Sequence, residues 1–364
     1  MLKETLNDDE LKLLTYYGNS SNESKKKILS YVKSLSLESD MAFVTYMNKR
    51  GYSKKQIKNI TNFFIEHYSI DVLKSIINNG GCVTFEQMLL NNDLYSLYRN
   101  TGMSNALIYD IFNETGKNKN DVSVGKGEIL STLTFHNVVS GHGDVNIEQN
   151  GKRIVLEYKG NSGELIGHAK YTVSKCNEFI QSFLSPDEYS PYYSASNLKK
   201  FLKNRIDLNS GMDPIIPIHL FISGYLKKYP VDYPINDIFE AVKVFLDRHR
   251  NDIFQISTYK KNSGIHKAGD LKLDKIDVSY ITYILLMIDL ICYQKKCKWD
   301  YLVVFESSGG PNFGRYEIIP KEMVNLNFCN LYDFLTSHNI RYSTTGNDED
   351  DTRKQAIKIK LDLK

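Results

Sequence analysis

Cysteine is scarce in this chain: Cys82, Cys176, Cys292, Cys297 and Cys329, an odd number with no C-x-x-C pair. That pattern argues against a disulfide-stapled framework and reads as reduced thiols in a cytoplasmic setting. Cys292 and Cys297 stand five apart with no histidine nearby, which argues against zinc there. Long apolar runs are also missing. The longest, YITYILLMIDLICY from Tyr280 to Tyr293, is too short to span a bilayer and contains Asp289. Residues 1–30 hold no apolar h-region, so neither a secretory signal nor a membrane partner is expected. The net charge is only +3, too small to announce a nucleic-acid binder from composition alone. Tryptophan occurs once, Trp299, at the head of an apolar β-branched run where it reads as core. No internal repeat is visible.

What is present is ordinary globular material. Hydrophobic residues make up 41% of 364 positions, enough for a core without staples, in one large domain or two to three smaller ones. Residues 1–118 read as a helical N-terminal domain. ELKLLTYYG, KKKILSYVKSLSLES, MAFVTYMNKRG, KKQIKNITNFFIEHY and IDVLKSIINNGG each space apolar residues three and four apart. A polar linker, ETGKNKNDVS, follows. VGKGEILSTLTFHNVV then reads as a helix entered through Gly127 with Glu128 in its first turn, and AKYTVSKCNEFIQSFL as a second helix. Residues 185–275 read as a mostly helical insertion, and 277–295 as a long apolar helix. WDYLVVFES and RYEIIP follow as strands, and QAIKIKLDL as a last edge strand. His219 and His249 lie in helix-like surroundings and read as structural. Strands and helices alternate from 119 to 364, which predicts an α/β (α+β) domain.

The chemistry concentrates in GHGDVNIEQNGKRIVLEYKG, Gly141 to Gly160. Asn150-Gly151 between two extended runs is a strong hairpin signal, because a type I′ turn needs positive φ at both positions. With those two as the loop, paired positions sum to 301 and Asp144 falls opposite Glu157, their Cβ atoms about 5 Å apart. Glu157 and Lys159 share one face of the strand; Leu156 and Tyr158 share the other. The apolar run Ile154-Val155-Leu156 predicts burial on both sides. Buried carboxylates need neutralising, by Lys159 alone or by a divalent cation. Oxygen ligands favour Mg²⁺ or Mn²⁺ over zinc, and Glu128 offers a third carboxylate.

In this order of residues (Glu128, then Gly143-Asp144, then Glu157-Tyr158-Lys159 ending an apolar strand) the chain resembles the PD-(D/E)XK nuclease superfamily. The GKGE helix start and the GHGD turn look most like its phage-encoded members. The resemblance covers roughly residues 124–184, with WDYLVVF and RYEIIP as plausible later strands of the same sheet. It departs from the eponymous motif in having Gly143 where the proline stands. It implies a restriction-endonuclease-like mixed sheet flanked by helices, and Mg²⁺-dependent hydrolysis of phosphodiester bonds in DNA, with Mn²⁺ as a substitute cation. By position, Asp144 and Glu157 would be metal ligands and Lys159 the catalytic lysine. Glu128 would be an auxiliary ligand, and the main-chain carbonyl of Tyr158 a further one.

Lys126, His142, His168 and Lys170 flank this site as candidate phosphate contacts. The loop YKKNSGIHK mixes aromatic and basic residues, a phosphate-tracking pattern whose bland alternative is a solvated loop. The N-terminal domain is a candidate surface for DNA or for a phage or host protein. Two other classes compete: a phage structural or interaction protein that keeps a nuclease-like core as scaffold, and a sequence-reading restriction endonuclease.

Overall fold

The computed structural model describes residues 21–26, 41–67, 70–113, 125–161, 163–165, 195–228, 234–259, 270–343 and 358–363. It is a mixed α/β structure in two compact units, Met1–Val155 and Leu156–Lys364. The boundary expected at residue 118, the helix read at 169–184 and the two most N-terminal helices fall wholly or mostly outside the described residues.

In the first unit, α1 (Met41–Lys49), α2 (Lys54–His67) and α3 (Ile70–Asn78) form where the apolar spacing predicts. Their inward positions, among them Phe43, Met47, Ile57, Ile60, Leu73 and Ile76, are buried. Two short helices follow, each started by a polar side chain. Thr84 and Gln87 form a reciprocal capping box on α4 (Phe85–Leu89), and Asp93 caps α5 (Leu94–Leu97). The helix α6 (Asn105–Asn113) buries Leu107, Ile108, Ile111 and Phe112.

The helix expected through Val139 is shorter. It is α7 (Glu128–Thr134), entered through Gly127 in the left-handed region, and it stops where Phe135 turns extended. The reason lies in partners. Val83 and Phe135 form a parallel bridge, with the Cys82 N–H donating to the Thr134 carbonyl and the His136 N–H to the Val83 carbonyl. Just beyond, Val138–Val139 (β1) pairs antiparallel with β2 (Val145–Gln149), Val138 opposite Ile147. A β-branched pair with a ladder to join is better served by a strand than by another helical turn.

The segments 80–83 and 134–136 meet around Arg50. Its Nη2 donates to the carbonyls of Gly80 (2.8 Å) and Phe135 (3.1 Å), and its guanidinium lies 3.4 Å above the Tyr46 ring. Tyr46 in turn donates to the Leu133 carbonyl at 2.6 Å. Burial pushes the Tyr46 hydroxyl up to about 12, an effect opposed by the nearby guanidinium. Gly81 is required there: its φ is +131°, and a Cβ would meet the Phe135 backbone at 2.8 Å.

The unit boundary falls inside β3 (Lys152–Lys159), whose first half continues the hairpin of the first unit. Asn150 (φ 52°) and Gly151 (φ 71°) form the two-residue turn the sequence predicts. The second half of β3 pairs parallel with β7 (Tyr301–Phe305), which pairs antiparallel with β8 (Tyr316–Pro320). Hydrogen-bonded order across the five strands is β1-β2-β3-β7-β8, so WDYLVVF and RYEIIP do supply later strands of this sheet.

The second unit also holds α8 (Ala195–Arg205), α9 (Ile215–Lys228), α10 (Ile235–Arg248) and the single turn α11 (Arg250–Ile253). The insertion is not helical to its end: β5 (Phe254–Tyr259) and β6 (Asp270–Ile276) make an antiparallel ribbon. Gln, Ile, Ser, Thr and Tyr in succession favour a strand, and the basic Gly-containing loop between the two hid the pairing. The long helix α12 (Ser279–Cys297) is buried around most of its circumference, with Lys298 as a left-handed cap. Such a helix belongs in a core, and no described helix is long and apolar enough to cross a membrane. The sequence reading overlooked α13 (Phe328–Ser337) and β9 (Ile340–Ser343). The strand expected at an edge, β10 (Lys358–Leu361), lies in the middle of its sheet, between β9 and the two-residue β4 (Gly163–Glu164). Its alternation is right, but a partner two residues long leaves no trace in composition. His249 is structural, as expected: it packs among Phe245, Tyr280 and Tyr332 at ring distances of 4.6, 5.1 and 5.0 Å. Cys82, Cys292, Cys297 and Cys329 are free thiols, and burial pushes the Cys82 thiol up to about 12.

Candidate active site

Within the second unit the parallel pair β3–β7 divides its side chains cleanly. Leu156 stands beside Tyr301, Glu157 beside Leu302, Tyr158 beside Val303 and Lys159 beside Val304. One face is aromatic: Tyr158 meets Phe305 edge-on at 5.1 Å, and Phe305 meets Tyr316 at 5.6 Å. The opposite face carries Glu157 and Lys159. Two residues beyond Val304, Glu306 falls on that same face. Glu317, paired with Val304 across β7 and β8, belongs to it as well. Three carboxylates and one ammonium thus share a face near the carboxyl ends of two parallel strands, the edge where open α/β sheets bind ligands.

Glu157 is 8% exposed. Lys159 Nζ lies 3.4 Å from its Oε1, and Tyr293 of α12 donates its hydroxyl to the same oxygen. The Tyr293 ring lies 5.0 Å under the lysine ammonium, close enough for a cation–π contact. The carboxylate is held from one side only, and among the described residues no donor reaches Oε2. Glu306 is held on both sides: Oε1 accepts from the Ser308 N–H (2.9 Å) and hydroxyl, and Oε2 from Asn161 Nδ2 (2.5 Å). It latches the turn after β3 to the turn after β7, reinforced by the Asn161 N–H donating to Ser307 Oγ at 2.9 Å. Replacing Glu306 with alanine is expected to lower stability by about 2–3 kcal/mol, because it removes charge-assisted hydrogen bonds at a buried position. Urea titration of both proteins measures it, and an unchanged midpoint would remove the latch. Burial raises the Glu317 carboxyl above its ordinary range, partly offset by His338.

The remaining predicted residues stand as follows. Glu128 opens α7 half-buried, with its carboxylate accepting from the Gly125 N–H at the helix start. Asp144 is half-buried immediately before β2, in a turn tightened by Asn146 Nδ2 donating to the Gly143 carbonyl at 3.2 Å. Lys126 and His142 are exposed. His168 and Lys170 lie outside the described residues. Glu157 and Lys159 are brought into contact; Glu128 and Asp144 belong to the first unit.

Sequence reasoning missed Glu306 and Tyr293. A signal for Glu306 existed: LVVFE repeats the pattern of IVLEYK, an apolar run ended by a glutamate. Tyr293 had none, since it lies inside a helix that is apolar all round.

Among the described residues no group of three or more His, Cys, Asp or Glu side chains forms a ready-made metal cage. Mg²⁺ does not require one, because it keeps several waters and takes one or two carboxylates beside the substrate phosphate. The donor set fits that mode through Glu157 Oε2. No protein-family model, curated protein or solved structure matches the chain.

Proposed function

We propose that the chain is a Mg²⁺-dependent nuclease acting on DNA, built on a restriction-endonuclease-like core. The observation that carries the reading is the Glu157–Lys159 pair, a largely buried carboxylate and ammonium 3.4 Å apart near the carboxyl end of a parallel strand. A merely structural ion pair would gain from having both carboxylate oxygens satisfied. Here Tyr293 and Lys159 both address Oε1. The sequence resemblance adds Asp144 as second ligand and Glu128 as auxiliary carboxylate.

A bound divalent cation would supply Lewis acidity toward the scissile phosphate. The chain's own residues do the rest. Glu157 offers an oriented oxygen, held by the Tyr293 hydroxyl. The Lys159 ammonium, with a side chain 13% exposed, sits in a medium where its charge acts more strongly than in water. Negative charge that develops on a phosphoryl oxygen in the transition state is what such a fixed cation stabilises best.

The test is a cleavage assay on supercoiled plasmid and on single- and double-stranded oligonucleotides, with Mg²⁺, Mn²⁺ or EDTA. Cutting with either cation and none in EDTA is the expected result. A folded protein that cuts none of them contradicts the reading and favours a scaffold.

A further inference from the structure

We infer that the second unit carries a nucleic-acid-binding surface apart from the hydrolytic site, formed by the β5–β6 ribbon and the basic helix α8 that packs against it, and shaped for a duplex. The first observation is the ribbon. Two strands pair from Phe254 opposite Ile276 out to Tyr259 opposite Asp270, and no third strand joins them. Only the base is anchored: Phe254 and Ile276 are buried, while Gln255, Ser257, Thr258, Lys272 and Lys275 are exposed. Asn209 ties the ribbon down with a donated bond to the Leu271 carbonyl and an accepted one from its N–H. An isolated two-stranded hairpin is at best marginally stable in water, so solvent-facing ribbon surface contributes little to the fold.

Charge is the second observation. Residues 254–276 hold five lysines against two aspartates, and 257–269 hold Lys260, Lys261 and Lys267 with no acidic residue. Helix α8 adds Lys199, Lys200, Lys203 and Arg205, all exposed, again with no acidic residue. These two short elements carry a larger positive surplus than the +3 of the whole chain, so the remainder is net negative. Positive charge is therefore segregated onto one contiguous part of the second unit.

The shape selects the ligand. A two-stranded ribbon fits the major groove of a duplex, where its outer residues reach base edges and flanking lysines meet phosphates. The exposed apolar pair Ile256 (44%) and Leu271 (43%) suits contact with thymine methyls along that groove.

The experiment is fluorescence anisotropy of the full chain with a labelled duplex in EDTA, at roughly 50 and 200 mM salt. EDTA separates binding from cleavage, so the outcome stands whether or not the hydrolytic reading does. Two variants are compared: Lys199→Gln/Lys200→Gln/Lys203→Gln, with helix propensity preserved, and Lys272→Gln/Lys275→Gln. The wild type is expected to bind with a steep salt dependence. Each variant should lose about tenfold in affinity or more, and its log–log salt slope should fall by about 0.9 per lost phosphate contact. Circular dichroism verifies that both stay folded. Unchanged affinity and slope in both variants would overturn the inference. So would wild-type protein that ignores the duplex but binds anionic lipid vesicles.

Discussion

Replacing Lys159 with alanine is expected to lower metal-dependent cleavage roughly 100- to 1,000-fold, the effect of deleting one fixed group that stabilises transition-state charge. The protein should stay folded, because the β3–β7 ladder is made by backbone groups and Glu157 keeps its Tyr293 donor. Arginine should rescue poorly. Its planar fork does not reproduce a point charge seated 5.0 Å over one ring and 3.4 Å from one oxygen. Duplex affinity in EDTA should not fall, since the basic ribbon and helix are untouched. Single-turnover cleavage beside a thermal melt tests this. An alanine variant that still cuts at the wild-type rate removes Lys159 from the chemistry, and one that unfolds makes the pair structural.

The second large effect concerns Arg50, where alanine should cost about 3–4 kcal/mol. Two charge-assisted hydrogen bonds to main-chain carbonyls vanish, along with the contact over Tyr46. Against a usual stability of about 5–15 kcal/mol, that is a large share. Burial lowers the Arg50 guanidinium below its ordinary range, opposed by the Tyr46 and Tyr52 hydroxyls. Even so, the side chain stays charged at neutral pH. The loss should be local first. Amide exchange at Cys82, Val83 and His136 reports the bonds that hold 82–83 to 134–136, and those sites should exchange faster in the variant. Unaltered exchange there would show that the guanidinium does not hold the two segments together.

The parts of this chain that were legible in the sequence are those fixed by neighbours along it. Asn150-Gly151 announces its turn because few other pairs adopt positive φ twice, and Glu157 and Lys159 share a face because the period of a strand is two. The apolar runs at 301–305 and 316–320 read as strands on the same grounds. What stayed hidden depends on partners distant in sequence. FHNVV continues a helical pattern on paper, yet Val83 and Ile147 draw it into extended pairings. β10 alternates as an edge strand should, but β4 occupies its second side. At the site, Tyr293 reaches Glu157 across 136 positions, a separation no spacing rule covers. Arg50 is hidden for the same reason: its value lies in the carbonyls of residues 80 and 135.

The measurement that tests the central claim most directly is single-turnover cleavage of a labelled DNA duplex in Mn²⁺ by wild type and by Glu157→Gln. Glutamine keeps the size and the acceptor for Tyr293 but removes the charge that a divalent cation needs. The account predicts metal-dependent cutting by wild type, none in EDTA, and at least a 100-fold slower rate for the variant, about 2.7 kcal/mol in barrier height. Equal rates for the two proteins, or cutting that survives EDTA, would contradict it.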